Sequence, residues 1–296
     1  MKSSYFVEGL QGAGKTTLVQ KLSDCLRDYE VFREGDYSPV ELAWCAYVTE
    51  KQYGEILTRY PSLAAQIKAK TVKEGDHRII RYTQIPTDLP GFYEDMEAYE
   101  IYNGKLDKES FERLILERFG NWNGEKQIFE CSFFQNIIEN QMLYFTMTDG
   151  EILEFYGRLK RVLGDRPYRI IYLDVEDISG TIEIIRKERT DDKGNERWFS
   201  QMIHYIEESP YGKVHHLKGS KELIRHLEKR RALEHRIMEE VFQENTIILK
   251  AKKYRLSDVI AVDAHPFGGT ATPETVSQRL PAHSHPENPF DKNRQE

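Results

Sequence analysis

Eight residues near the start of the chain, Gly9-Leu10-Gln11-Gly12-Ala13-Gly14-Lys15-Thr16, restrict its fold more than any other stretch. They match G-x-x-x-x-G-K-[ST], a pattern that works in one setting, between a buried strand and an amphipathic helix. That setting is present. Tyr5–Val7 is a short apolar run, and Leu18, Leu22 and Leu26 recur at i, i+4 and i+8 beyond the motif, forming one stripe of a helix. Glycines let successive N–H groups turn inward on an anion, and the start of the helix adds its positive end. Gly9, Gly12, Ala13, Gly14, Lys15, Thr16 and Thr17 are therefore expected to cradle the phosphates of a nucleoside triphosphate. Lys15 is expected on the β- and γ-phosphates as a mobile charge, and the Thr16 hydroxyl on Mg²⁺.

Further apolar runs follow at Val31–Phe32, Gln127–Phe129, Tyr168–Val175 (YRIIYLDV) and Thr246–Leu249, with helical patterns between them. Continuous apolar runs are the mark of parallel strands covered on both faces. The expected fold is α/β: a P-loop NTPase with a doubly wound five-stranded parallel sheet over residues 1–260 and a helical insertion between its second and third strands. That insertion, residues 36–125, is too long for plain loop. Ser38-Pro39-Val40-Glu41 reads as a capping box opening a helix that carries Leu42, Trp44, Tyr47 and Tyr53, and HRIIRYTQI at 77–85 reads as extended. The stretch 223–243 reads as a charged amphipathic helix whose Lys229-Arg230-Arg231 run is a solvated face. From about 261 the chain turns proline-rich and polar, as expected of a disordered tail.

Composition narrows the function classes. The chain has 296 residues and a net charge of −7, which argues against broad nucleic-acid binding. Cys25, Cys45 and Cys131 are odd in number and have no CxxC spacing, so neither a disulfide framework nor a zinc site is expected. With no signal-peptide pattern and no apolar stretch of membrane-spanning length, a cytoplasmic protein without membrane association is expected.

In a parallel sheet, ligands sit beyond the carboxyl ends of the strands. The second strand ends in Arg33-Glu34-Gly35-Asp36 and the third in Glu130-Cys131-Ser132. Phosphoryl transfer to a hydroxyl needs a carboxylate to accept or orient the hydroxyl proton and another near the metal. Glu34, or Asp36, suits the first role. Glu130 suits the second, as a metal-side ligand with Thr16. After the fourth strand, residues 186–197 form a charged, glycine-containing stretch that reads as a lid, with Arg186 and Arg189 placed to stabilise charge on the transferring group.

These motifs resemble the thymidylate kinase and deoxynucleoside kinase group of P-loop kinases. Arg33-Glu34 is similar to that group's Arg-Glu-Pro element, whose acid is a catalytic base or acceptor-side ligand. Glu130-Cys131-Ser132 is similar to its Glu-Arg-Ser element, and Arg186 to Arg189 to its lid. Gly35 stands where the pattern has proline, and Cys131 where it has a functional arginine. The chain is also similar to bacterial P-loop proteins described only as ATPases or kinases. The resemblance implies an ATP- and Mg²⁺-dependent kinase acting on a nucleoside, nucleotide or other small hydroxyl-bearing molecule, an antibiotic included. The other reading is a nucleotide-dependent regulatory ATPase with a protein partner. The oligomeric state is open, a dimer included. Arg78 and Arg81 lie three apart on one extended segment, so at most one of them is expected to face an acceptor.

Overall fold

The computed structural model describes residues 3–257 and 259. The tail expected at 261–296 lies outside the described residues. Along the chain the strands are β1 (Ser4–Gly9), β2 (Glu30–Phe32), β3 (Ala46–Thr49), β4 (Thr71–Glu74), β5 (His77–Ile80), β6 (Gln127–Glu130), β7 (Tyr168–Asp174) and β8 (Thr246–Lys250). Five of them form one parallel sheet in the order β2-β6-β1-β7-β8. The fold is therefore the expected α/β, P-loop type, and each apolar run read from the sequence lies in a strand of this sheet.

The sheet is wound on both faces because its strands are apolar on both. In β1, Phe6 turns to one core with Phe129, Phe133 and Trp122, while Tyr5 and Val7 turn to the other with Leu18, Leu22 and Ile171. Aromatic rings carry the first core across three strands. Phe6 stacks on Phe129 at 4.7 Å between centroids, and Phe129 on Phe32 at 5.0 Å. The second core is closed by the helix Lys15–Cys25 and by Ile178–Glu188. Among the described residues no helix is long and apolar enough to cross a membrane.

The insertion is helical in part, with Glu50–Arg59, Ala64–Ala69, Phe92–Glu97 and Lys108–Asn121, and it adds a small antiparallel sheet in the order β3-β5-β4. This sheet and its helices enclose a core of their own, with Val48, Ile56, Ile67, Ile80 and Phe92 at its centre.

Two local expectations are corrected here. The Ser38 hydroxyl does accept from the N–H groups of Val40 (3.3 Å) and Glu41 (3.4 Å), but no helix follows. The chain turns instead, with Trp44 at φ 62°, and Tyr47 falls on β3. The first helix of the insertion starts at Glu50 under a true capping box, Thr49 with Gln52. The segment at 77–85 is extended only through Ile80, then bends at Arg81 into a short 3₁₀ turn.

The helix expected over 223–243 spans Gly219–Glu240. Its basic run is not wholly a solvated face. Arg230 is 0% exposed, because it falls on the i, i+3, i+4, i+7 stripe of Leu223, Leu227, Arg230, Glu234 and Ile237 that packs inward.

Candidate functional site

The loop between β1 and the helix Lys15–Cys25 has Gly9, Gly12 and Gly14 at φ 137°, 77° and 92°. The helix starts from Gly14 with no side chain capping it, so its first N–H groups remain available to an anion. Lys15 is buried and its Nζ donates to the carbonyls of Gly9 (2.8 Å) and Leu10 (3.0 Å), which draws the ammonium over the loop. On one side the loop is tightly covered: a Cβ at Gly12 would lie 2.2 Å from Ile185 Cδ1 and 3.0 Å from Thr181 Cγ2. Beside Gly12 opens a cavity of about 180 Å³ bordered by Asp174, Asp177, Thr181, Lys250 and Lys253.

The strand order puts β6 next to β1, with Val7 opposite Glu130. Glu130 Oε1 accepts from the Thr16 hydroxyl at 2.5 Å. Burial pushes its carboxyl up, and the Thr16 hydroxyl opposes that rise, while the charge of Glu34 adds to it. Two hard oxygen donors are thus held together at the mouth of the loop. A Mg²⁺ ion fits such a pair, since it takes one or two protein oxygens and fills its octahedron with phosphate oxygens and water. Among the described residues no group of three or more His, Cys, Asp or Glu side chains is placed to hold a metal, as a dedicated all-protein cage would require.

Glu34 follows β2, the strand beyond β6. Its Oε1 accepts from Trp44 Nε1 (3.2 Å) and Gln135 Nε2 (3.1 Å). Gln135 opens the short helix after β6, so this carboxylate is tied to the segment that carries Glu130. Asp36, two residues on, is used differently. Its Oδ2 accepts from the Arg33 N–H (3.0 Å) and its Oδ1 from Gln84 Nε2 (2.8 Å), which fixes the turn after β2. Arg33 itself lies back on Gln20 at 2.6 Å. At Cys131, φ is 60° and the thiol points to Gln135 Oε1 at 3.7 Å. Burial raises that thiol well above its ordinary value, so it stays neutral.

The two arginines after β7 are engaged within their own segment. Arg186 pairs with Glu196 (2.7 Å) and Glu183 (3.3 Å) and lies over the Phe199 ring, and Arg189 lies over Trp198. In the insertion the two candidate arginines part company, Arg78 lying on β5 and Arg81 at the bend after it. Arg78 is bound by Glu50 through two N–H groups, at 2.7 and 3.0 Å, and covers Tyr53. Arg81, half-buried at the bend, has its Nε buried with no hydrogen-bond partner among the described residues.

The sequence reading missed two groups around the loop. Glu8, immediately before Gly9, is fully buried. Its Oε1 accepts from the Phe133 N–H at 2.6 Å, and desolvation pushes its carboxyl up to about 8. An acid inside an otherwise apolar strand was the available signal. The second group is the buried charge cluster of Glu139, His226, Arg230 and Glu234. Helical periodicity, applied to the charged residues as well as the leucines, places all three of its members from the helix Gly219–Glu240 on the inward stripe.

No protein-family model matches the chain, and no curated protein matches it. Among solved structures, the chain is similar to a deoxyadenosine kinase from M. mycoides with bound dATP, at 18% identity and a TM-score of 0.34, over 88% of this chain and 96% of that one.

Proposed function

We propose that the chain is a phosphotransferase that binds ATP with Mg²⁺ and moves the γ-phosphoryl group to a nucleoside, nucleotide or other small hydroxyl-bearing molecule. The observation that carries this reading is the pair of carboxylates on adjacent strands beside the loop. Glu130 is engaged with the Thr16 hydroxyl, and Glu34 is held by neutral donors through one oxygen. A switch that only binds and releases nucleotide has no need of the second acid.

In this reading the loop N–H groups and Lys15 grip the phosphates. Thr16 and Glu130 would hold a Mg²⁺ ion, which would supply positive charge against that of the phosphates. Glu34 takes the proton of the acceptor hydroxyl as its oxygen bonds to the γ-phosphorus. The bond from that phosphorus to the bridging oxygen breaks, and ADP leaves with the electron pair. The cavity beside Gly12 offers room on the donor side. The segment 186–197 acts as a lid, and the insertion 36–125 covers the acceptor side. Arg186 and Arg189 reach the transferring group only by exchanging their present partners. All three cysteines are free, which suits a reducing compartment such as the cytoplasm.

The test is ADP release in the presence of a panel of hydroxyl-bearing small molecules, with mass-shift detection of product. Acceptor-dependent turnover is expected. Lys15→Ala should lose ATP binding, and Glu34→Gln should bind ATP as the wild type does and lose transfer by 10²-fold or more, about the contribution of a positioned base. Slow ATP hydrolysis indifferent to every acceptor would replace this reading with a regulatory ATPase.

A further inference from the structure

The helix Gly219–Glu240 sends one charged side chain to the phosphate loop. Arg230 is fully buried, and its guanidinium spreads in three directions. One terminal nitrogen donates to Glu139 Oε1 at 2.5 Å, and Nε lies 3.1 Å from Glu234 Oε1 as an ion pair without hydrogen-bond geometry. The other terminal nitrogen donates to the side-chain oxygen of Gln11, inside the loop, at 3.2 Å. The two carboxylates are themselves held. Glu139 Oε2 is 2.6 Å from His226 Nε2, and Glu234 Oε2 accepts from the Tyr172 hydroxyl at 2.6 Å. Burial alone would push Glu139 up, yet His226 and Arg230 outweigh it and hold the carboxyl down at about 2.

Stability does not explain this arrangement. Burying an ion pair recovers little or nothing against an apolar replacement of the same shape, and the ionised Glu139 already balances the charge of Arg230. The bond to Gln11 is the part the charge balance does not require. A lysine could pair with both carboxylates as a point charge, whereas a planar fork sets one terminal nitrogen on Glu139 and the other on Gln11 in fixed directions. Gln11 is also the only variable residue of the loop able to receive such a bond, because Leu10 and Ala13 have no polar side-chain atom. It sits between Gly9 and Gly12, where left-handed glycines give the backbone its greatest freedom.

We propose that Arg230 is a positioning residue: by holding Gln11 it fixes the middle of the phosphate loop in its anion-binding shape before nucleotide arrives, and through Glu139 it ties that shape to the helix Gln135–Glu139 beyond β6. The loop then meets a triphosphate with its ordering cost already met by the fold. This rests on the reading of the loop as a triphosphate site.

The experiment measures ATP affinity by calorimetry and amide exchange of residues 10–14 in the full chain. Arg230→Met leaves Glu139 and Glu234 without their cation and can unfold the protein, so the decisive variants are Gln11→Met, which is similar in shape and lacks the oxygen, and Arg230→Lys. Each should weaken ATP about tenfold, about 1.4 kcal/mol, and speed exchange of the loop amides while the rest of β1 keeps its protection. Gln11→Glu, which keeps an acceptor oxygen, should keep the loop protected. The double variant Gln11→Met with Arg230→Lys should be no weaker than the worse single variant, because both remove one interaction. Wild-type affinity and exchange in Gln11→Met, or strictly additive losses in the double variant, would overturn the proposal. If Lys15→Ala also bound ATP normally, the triphosphate reading itself would be at fault, an outcome separate from the first.

Discussion

Substituting alanine at each of the three loop glycines separates two penalties that are usually confounded. All three have positive φ, so each alanine incurs a backbone penalty of ~1–3 kcal/mol for a residue held in a sparsely populated region. Their surroundings differ. A Cβ at Gly14 meets nothing within 4 Å. One at Gly12 lies 2.2 Å from Ile185 Cδ1 and 2.7 Å from its Cγ1, side-chain atoms that give way through a shift of χ1, at ~0.5–1.5 kcal/mol for an off-rotamer χ. One at Gly9 lies 2.6 Å from the carbonyl oxygen of Leu173, the residue paired with Gly9 in β7. That oxygen cannot yield without disturbing the β1–β7 ladder, a packing strain of ~1–3 kcal/mol. Taking midpoints, the losses are about 2, 3 and 4 kcal/mol for Gly14→Ala, Gly12→Ala and Gly9→Ala. Urea unfolding followed by circular dichroism, without nucleotide, should place the midpoints in that order with a common slope. If Gly9→Ala is as stable as Gly14→Ala, the contact with β7 does not constrain the loop and the reasoning fails.

Other consequences follow from single groups. Because Glu8 is raised to about 8, the folded chain keeps a proton that the unfolded chain releases near its ordinary value of 4.5; stability therefore falls as pH rises through that window and levels off above it. Glu8→Gln should flatten this fall in urea midpoints, and an unchanged profile would show that Glu8 is ionised in the folded state. Arg118, 4% exposed, joins Glu74 and the Ser38 carbonyl inside the insertion. Arg118→Met should cost about 3 kcal/mol, the lower end for a broken buried pair because water reaches Glu74, and should speed proteolysis of the insertion. With Arg78 engaged by Glu50, Arg81→Ala should raise acceptor KM tenfold or more at saturating ATP and Arg78→Ala should not. Equal kinetics in both would mean that neither binds the acceptor.

The parts of the molecule legible in the sequence are those whose physics is local. The loop was readable because its glycines and Lys15 must stand at fixed spacing, and the parallel strands because burial on both faces leaves unbroken apolar runs such as YRIIYLDV. The insertion was less readable because a local signal was overruled. Ser38 forms its side-chain-to-backbone bonds, yet the chain then turns at Trp44 and pairs Ala46–Thr49 with His77–Ile80, a long-range choice that no cap discloses. Arg230 was misread for a different reason. Composition places arginine at the surface, and only its position in the helical stripe, combined with Glu139 on another helix and Glu234 on its own, brings it inside. As acids at one strand end, Glu34 stood ahead of Asp36 in the sequence, but Asp36 was not excluded from the same role. The structure separates them through Gln84, which comes from the insertion and takes Asp36 into the turn.

The order β2-β6-β1-β7-β8 also carries a consequence for how such a chain diversifies. The two candidate acids Glu34 and Glu130 and the whole insertion hang from β2 and β6, while Gly12's neighbours and the cavity beside it hang from β7 and β8. None of the three strands of the insertion pairs with the main sheet. Lengthening, shortening or exchanging residues between β2 and β6 therefore leaves the registers of Val7 with Glu130 and of Gly9 with Leu173 in place. The molecule is jointed at β1, so changes of length between β2 and β6 are absorbed on one side of that strand while the glycine loop keeps its seat on the other.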